Sequence, residues 1–213
     1  MTILVLIRHG ESQANRQNIF AGQIDPELEE RGLQQAELTA KFVTENYEID
    51  KIYSSDLKRA FNTGKYLANL TGLEIIPRKE LREIHGGNWE GMKFDSLCQS
   101  APEHYKTWCE NIGEFEGFGG ESMKALCERI MKELARIAEE NPGKTVAITT
   151  HATPIRVAAT HILYGSLEKM MEVPWASNAS VSVFEFCEGE WKVVRYSEDS
   201  HLESLRTVLP DSI

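Results

Sequence analysis

The chain has 213 residues, of which 41% are hydrophobic and 26% are charged, a composition typical of a globular protein with a single domain, residues 1–213. The formal net charge of -10 argues against nucleic acid or an anionic membrane surface as a partner, and no apolar run reaches the length of a membrane span. A small anionic substrate is not excluded, because a local cluster of arginines outweighs the global charge at contact distance.

The four cysteines show no CxxC spacing, and none stands beside a histidine in the spacing of a metal site. This usage is typical of reduced, structural thiols, so we expect a cytoplasmic protein. The chain starts directly with a predicted strand and shows no pattern of a signal peptide, which fits that location. We expect neither a metal ion nor an organic cofactor.

The first predicted element is a buried strand over residues 3–7, an unbroken apolar run rich in β-branched side chains. It ends in Arg8, His9 and Gly10, and the glycine predicts a tight turn. Two polar side chains are thereby placed at the carboxyl edge of a sheet, where open α/β sheets bind ligands. Taken alone, these residues fit a solvated strand end equally well.

Helices and strands then alternate along the chain. Residues 13–25 are predicted to form an irregular polar loop, followed by a helix from Pro26 to about residue 45 with Asp25 as its N-cap. A short strand, a second helix and a third strand are predicted at residues 51–53, 56–70 and 74–76.

Residues 86–121 differ from the rest of the chain because glycine and aromatic residues are dense there. This composition predicts short helices with aromatic faces, joined by glycine turns. Since so many aromatic side chains are costly to leave in water, we interpret the segment as an inserted helical lid that sets substrate specificity. The alternative is a loosely packed surface excursion.

The C-terminal half predicts a helix, a buried strand, a second helix and two hairpin strands, at residues 123–140, 145–149, 154–164, 180–187 and 191–195. The pattern indicates an α/β three-layer sandwich, with a mainly parallel central sheet and an antiparallel edge hairpin. The outer strand of that hairpin offers an edge through which a homodimer can form.

Two of the predicted strands deliver histidines, His9 and His151, to the same edge of the sheet. Arg59 lies three residues after Asp56 in the first turn of the second helix, so it faces that edge as well. Converging arginines and histidines form an anion site, and planar guanidinium groups suit phosphate in particular. Two nearby arginines repel cations, which disfavours a divalent metal.

Four segments carry a resemblance to a known family. They are RHGES at 8–12 with Asn15, SSDLKRA at 54–60, LREIHGGNWEG at 81–91 and HATPIR at 151–156. In this order they resemble the histidine phosphatase superfamily, in its phosphoglycerate mutase-like branch. AGQIDPELEERGLQQA at 21–36 and GGES at 119–122 also fit, so the resemblance spans nearly the whole chain.

The resemblance implies a role for each matching residue. His9 corresponds to the nucleophile that becomes a phosphohistidine, for which a neutral imidazole is suited. Arg8, Arg59 and His151 correspond to the clamp that stabilises charge on the phosphate oxygens. Substrate or phosphate binding is implied for Arg8, Asn15, Ala21, Gly22, Gln23, Arg59, His151 and Ala152.

Glu83 corresponds to the family's general acid, which protonates the leaving alcohol and then takes a proton from the hydrolytic water. From the residues alone, a surface salt bridge with Arg82 or Lys79 is an equally simple reading of this glutamate. The resemblance favours the catalytic role.

The chain departs from the family pattern in ways that favour a phosphatase over a mutase. Ala152 stands where many relatives have glycine, and Gln23 where the mutases commonly have tryptophan. The additional basic residues with which a mutase holds a carboxylate are not evident. We therefore predict a metal-independent phosphomonoesterase that hydrolyses a small phosphorylated metabolite. The alternatives are mutase-type phosphoryl transfer and a non-catalytic domain that binds phosphorylated ligands.

Overall fold

The computed structural model describes residues 1–207, which fold around a six-stranded sheet. Its strands are β1 (Thr2–Arg8), β2 (Lys51–Ser54), β3 (Ile75–Pro77), β4 (Thr145–Thr150), β5 (Val181–Cys187) and β6 (Glu190–Glu198). Their order across the sheet is β3-β2-β4-β1-β5-β6. Strands β1 to β4 run parallel, whereas β5 and β6 pair antiparallel, which confirms the predicted sheet.

Helices cover both faces of this sheet. The α-helices are α1 (Gln13–Arg16), α2 (Glu30–Asn46), α3 (Lys58–Thr71), α4 (Phe94–Ser100), α5 (Pro102–Glu110), α6 (Met123–Glu140) and α7 (Ala152–Tyr164). Short 3₁₀ helices occur at Lys79–Leu81, Gly87–Trp89, Ile112–Glu114, Leu167–Glu172 and Ser200–Leu205.

Alternate side chains of β1 enter two different cores. Leu4 and Leu6 belong to a cluster that includes residues of α6 and α7, whereas Val5 and Ile7 pack with residues of α2 and α3. A strand that is buried on both faces needs apolar side chains at every position, which explains the unbroken apolar run. The α/β three-layer sandwich is confirmed.

The first long helix begins later than predicted. Helix α2 starts at Glu30 and has Glu29 as its N-cap residue, so the predicted start at Pro26 is wrong. Residues 27–29 stay extended because they pair with residues 11–13, through backbone hydrogen bonds and a bridge between Ser12 and Leu28. A helical turn at Pro26 would break this non-local pairing.

The prediction that Asp25 caps α2 is wrong, because the N-cap residue is Glu29. Its carboxylate accepts a 2.7 Å hydrogen bond from the backbone N–H of Lys58, and it therefore caps the first turn of α3. The predicted loop at 13–25 also contains a helix, α1. Ser12 and Asn15 form a capping box at its start.

The aromatic residues of segment 86–121 are packed and not solvated. Trp89, Trp108 and Phe115 are buried, and they contact one another at ring-centroid distances of 5.1 to 6.0 Å. Phe20 joins them with edge-on contacts to Trp89 and Trp108. This aromatic cluster is continuous with the α6–α7 core. The role of the segment as a lid stays a prediction.

The terminal hairpin turns through two residues. Glu188 and Gly189 both have positive φ, 52° and 87°, which is the backbone conformation of a type I′ turn. Strand β6 consequently starts at Glu190, one residue earlier than predicted. It forms the edge of the sheet, but dimerisation through this edge stays a prediction.

Two further observations concern the expected location of the protein. The four cysteines are free. Within residues 1–207, no helix is long and apolar enough to cross a membrane. A cytoplasmic location stays a prediction.

Candidate active site

The register of three strands brings the predicted site residues together. Thr149 of β4 lies opposite both Ile7 of β1 and Ser54 of β2, so the three strands end at one level of the sheet. The next residues after these strand ends carry the polar side chains. His9 and His151 lie with their ring centroids 5.1 Å apart.

Backbone hydrogen bonds fix His9 from both sides. Its N–H donates to the carbonyl of Thr150 over 3.0 Å. Its carbonyl accepts from the backbone N–H of Ala179 over 3.1 Å and from the side-chain amide of Asn178 over 3.2 Å. The position of this histidine is therefore determined by the sheet and by the segment that precedes β5.

The ring of His9 is held in one tautomer. Nδ1 lies 2.7 Å from the carbonyl oxygen of Gly10, which can only accept, so Nδ1 carries the proton and Nε2 carries the lone pair. Burial lowers the pKa of His9 well below its usual value, and the charges of Arg59 and Arg8 lower it further. The imidazole is therefore neutral at physiological pH.

Gly10 is required for a different reason from the one predicted. Its φ lies outside the left-handed region, so no special turn geometry calls for glycine. A Cβ atom at this position would instead lie 2.3 Å from the carbonyl oxygen of Gly32 in the first turn of α2. The end of β1 and the start of α2 are packed backbone to backbone.

Two buried arginines face His9. Arg59 is 1% exposed and donates to the carbonyls of Gly22 and Ile24, both over 2.8 Å, and to Nε2 of His9 over 3.3 Å. Arg8 donates from Nη1 to the carbonyl of Ala176. Burial lowers the pKa of each guanidinium to about 10, which leaves both arginines cationic at neutral pH.

His151 lies behind His9 and is fully buried. Its Nε2 is 2.8 Å from the hydroxyl of Ser55, and burial lowers the pKa of the ring well below its usual value. Within residues 1–207, its Nδ1 and the Nε of Arg8 are buried atoms without a hydrogen-bond partner.

The carboxylate of Glu83 accepts backbone hydrogen bonds, from Ile84 over 2.8 Å and from Thr153 over 3.4 Å. Within residues 1–207, Glu83 forms no salt bridge with either of the alternative partners, Arg82 and Lys79. Arg82 forms a bidentate pair with Asp56, with both N–O distances at 2.6 Å. Glu83 instead lines the cavity that contains His9.

A cavity of about 510 Å³ opens beside His9. Eight of the predicted residues line it: Arg8, His9, Asn15, Ala21, Gly22, Arg59, Glu83 and Ala152. The side chain of Asn15 uses its oxygen to accept from Ser12 and Asn178, so among residues 1–207 its two amide hydrogens remain available to a ligand.

Two predicted binding residues do not line the cavity. His151 lies behind His9, as described. Gln23 lies beside Glu83, and its side-chain amide donates to the carbonyl of Glu83 over 3.1 Å. The structure thus places Gln23 where it holds the backbone of Glu83 and not where it contacts a phosphate.

Sequence reasoning missed several residues of the cavity wall. Arg16 and Arg31 line it, paired with Glu29 at 2.8 Å and with Glu11 at 3.6 Å. The remaining wall is largely apolar and aromatic and includes Ile19, Phe20, Ile84, Phe94, Trp108 and Trp175.

Comparisons with known proteins agree with this arrangement. A family model of the histidine phosphatase superfamily (branch 1) matches residues 4–199. The chain belongs to this superfamily. It is 33% identical over 203 residues to the phosphoglycerate mutase-like protein 4 of Arabidopsis thaliana. The aligned region covers 94% of this chain and 86% of that relative.

A second relative, a metal-independent phosphoserine phosphatase of Arabidopsis thaliana, is 32% identical over 207 residues. This region covers 96% of this chain and 85% of the relative's length. The solved structure of Bacillus stearothermophilus YhfR superimposes with a TM-score of 0.90 at 28% identity, covering 95% of this chain and all of that one. The protein is therefore a phosphatase of the histidine phosphatase superfamily.

Proposed function

We propose that the protein is a metal-independent phosphomonoesterase that hydrolyses a small phosphorylated metabolite through a phosphohistidine at His9. The observation that carries this proposal is the tautomer of His9. Because Nδ1 donates to the carbonyl of Gly10, the lone pair of Nε2 is the reactive one, and Arg8, Arg59 and Glu83 line the same cavity.

In the first half-reaction, Nε2 of His9 attacks phosphorus and the bond from phosphorus to the ester oxygen breaks. Arg8 and Arg59, which line the cavity, hold the equatorial oxygens, on which negative charge develops, and the family resemblance assigns His151 to the same clamp. Glu83 gives its proton to the leaving oxygen, which departs as an alcohol. The hydrogen bond that Nε–H of Arg59 donates to Nε2 of His9 in the free protein is replaced by one to a phosphate oxygen.

In the second half-reaction, the carboxylate of Glu83 takes a proton from a water molecule. The oxygen of that water attacks phosphorus, the bond from phosphorus to Nε2 breaks, and inorganic phosphate leaves. His9 is again neutral and Glu83 again carries its proton. Neither step requires a metal, because the guanidinium groups supply the positive charge that a cation would otherwise provide.

For the substrate, we propose a phosphate ester that also carries a carboxylate, such as phosphoserine. The outer cavity wall has charges of both signs, since Arg16 and Arg31 line it together with Glu11. A carboxylate fits the arginines and an ammonium group fits the glutamate. A relative described as a phosphoserine phosphatase supports this assignment.

The experiment is a phosphate-release assay on phosphoserine, sugar phosphates and p-nitrophenyl phosphate in the presence of EDTA. We expect turnover to survive the chelator and phosphoserine to give the largest kcat/KM of the panel. Quenching during turnover in denaturant at alkaline pH, where the P–N bond of a phosphohistidine is stable, should trap a phosphorylated His9, detected by mass spectrometry. Activity that EDTA abolishes, or turnover without a phosphohistidine, overturns the proposed mechanism.

Arg16 and Arg31 also give the mutase alternative a specific observation in its favour, since the predicted lack of basic residues does not hold at the cavity wall. Interconversion of 3- and 2-phosphoglycerate faster than phosphate release would favour the mutase. Tight binding of phosphate without any turnover would instead favour a binding domain.

A further inference from the structure

A side chain outside the cavity holds the segment that carries Glu83. Residues 82–86 form neither a helix nor a strand, so their backbone lacks the usual network of hydrogen bonds. Arg129 of α6 supplies partners for it. Its guanidinium donates to the carbonyls of Glu80 over 2.7 Å, of Arg82 over 3.0 Å and of Glu83 over 3.3 Å.

Glu121 fixes the guanidinium of Arg129 in place. The two side chains form a bidentate pair, with Nε–Oε1 at 2.8 Å and Nη2–Oε2 at 2.7 Å, and only 21% and 14% of their side-chain surfaces are exposed. Glu121 also accepts from the backbone N–H of His85 over 3.2 Å. The pair therefore makes hydrogen bonds to the backbone of the segment on both sides of Glu83.

The position of the Glu83 carboxylate depends on these backbone hydrogen bonds. Its hydrogen bonds come from the backbone N–H groups of Ile84 and Thr153, so its position follows the backbone and not a side-chain partner. A general acid must lie within hydrogen-bond reach of the leaving oxygen, and a misplacement of about 1 Å costs on the order of 100-fold in rate.

We propose that Arg129, oriented by Glu121, is a positioning residue that holds Glu83 at the leaving-group oxygen. This inference rests on the proposed function, in which Glu83 is the general acid. Arg129 does not line the cavity that contains His9, so we expect its loss to change proton transfer more than phosphate binding. Its role differs in this respect from that of a residue that stabilises the whole domain.

The test is the Arg129→Ala variant, measured on two classes of ester. An alkyl ester such as phosphoserine needs a proton on its leaving oxygen, whereas p-nitrophenyl phosphate has a leaving group that departs with little protonation. We expect kcat/KM to fall about 10- to 100-fold for phosphoserine and less than about 3-fold for p-nitrophenyl phosphate. The inhibition constant of inorganic phosphate should stay unchanged.

Arg136→Ala is the matched control, because Arg136 lies on the same helix, forms ion pairs with Glu133 and Glu140 and has an exposed side chain. It should leave both substrates unaffected. Arg129→Lys is the second variant should the alanine protein fail to fold. A single ammonium group cannot span three carbonyls, so we expect an intermediate loss that is again confined to phosphoserine.

A double-mutant cycle with Glu83→Ala separates this inference from the proposed function. If Arg129 acts through Glu83, then Arg129→Ala has no further effect on kcat/KM once Glu83 is removed. Losses that add in the double variant, or that are equal for the two esters, overturn the positioning role. A Glu83→Ala protein that keeps full activity on phosphoserine overturns the acid assignment itself.

Discussion

The two sides of the cavity are built in different ways. On the side of the sheet, His9 is fixed by backbone hydrogen bonds to Thr150 and Ala179, which belong to neighbouring strands or their ends. On the opposite side, Glu83 lies in an irregular segment whose carbonyls are held by the side chains of Arg129 and Gln23.

This difference has a functional meaning. In the proposed mechanism the nucleophile His9 must not move, and the register of the sheet fixes it through backbone contacts that few single substitutions can remove. In the same mechanism, Glu83 protonates the leaving group and then takes a proton from water. Its segment is held by a few side-chain contacts, and a single substitution is enough to remove each of them. We therefore expect substitutions to affect chemistry on the two sides in distinct ways.

The largest effect is expected from His9→Ala, which removes the nucleophile and leaves its side of the cavity in place. The backbone bonds of residue 9 do not need the ring, so the protein should fold. We expect kcat/KM to fall by at least about 10⁴-fold, because the nitrogen that attacks phosphorus is removed.

Phosphate release in steady state measures this loss. His161→Ala serves as the control, since His161 is exposed on α7 and lies outside the cavity wall. A His9→Ala protein that retains a tenth of the activity would show that the phosphoryl group is transferred directly to water.

Arg59→Ala is expected to have the second largest effect because this arginine connects the two sides. Its guanidinium meets His9 and also holds the loop at Gly22 and Ile24. Its loss should lower kcat/KM by roughly 10²- to 10³-fold and weaken inhibition by inorganic phosphate. Arg59→Lys should recover little, because one ammonium cannot make these contacts together.

Lys58→Ala is the neighbouring control for this variant, since the Lys58 side chain is exposed and pairs with Glu27 on the surface. Its kcat/KM should match that of the unmodified protein. Equal losses of kcat/KM for Lys58→Ala and Arg59→Ala would mean that activity depends on the integrity of the first turn of α3 and not on the guanidinium of Arg59.

Gly10→Ala tests the rigidity of the sheet side directly. The added methyl group would meet the carbonyl of Gly32, so the end of β1 and the start of α2 must separate. We expect a loss of about 1–3 kcal/mol in the free energy of unfolding, measured by urea denaturation, together with reduced turnover.

Gly143→Ala provides the comparison for that result. Gly143 has a φ of +77° and no atoms within 4 Å of an added Cβ, so alanine there introduces backbone strain without a clash. It should destabilise the protein while leaving kcat/KM unchanged. Full activity in Gly10→Ala would contradict the view that His9 is held by close packing of its own backbone.

The sequence predicts the sheet side better than the acid side, and the physical reason is plain. An apolar run over residues 3–7 requires burial on both faces, and parallel strands place their carboxyl ends together, so the meeting of His9 and His151 follows from pattern alone. The contacts of Arg129 are made to carbonyl oxygens, which every residue carries. No residue pattern could therefore have identified them.

Other differences have the same origin in non-local contacts. The start of α2 moved to Glu30 because residues 27–29 pair with residues 11–13, which local capping signals cannot reveal. Gln23 fits the family's substrate-binding position, yet it lies against the carbonyl of Glu83. Propensities describe a residue's own neighbourhood, whereas these outcomes depend on segments far apart in the chain.

The pH dependence of stability also tests the sheet side, through two histidines whose pKa values are lowered by burial. The pKa values of His9 and His151 are lowered by burial, so in the folded protein both rings stay neutral at pH values where the unfolded chain, with pKa values near 6.5, takes up protons. The free energy of unfolding is therefore highest above pH 6.5 and falls as the pH drops, by up to about 1.4 kcal/mol per pH unit for each histidine.

Urea denaturation between pH 7.5 and 5 measures this slope. His151→Asn removes one titrating group, so its slope between pH 6.5 and 5 should be smaller by up to about 1.4 kcal/mol per unit, whatever its absolute stability. His161→Asn, at an exposed site, should keep the original slope. Equal slopes for all three proteins would mean that the buried histidines take up protons in the folded state. The position of His9 at the end of β1 would then not explain why its ring is neutral.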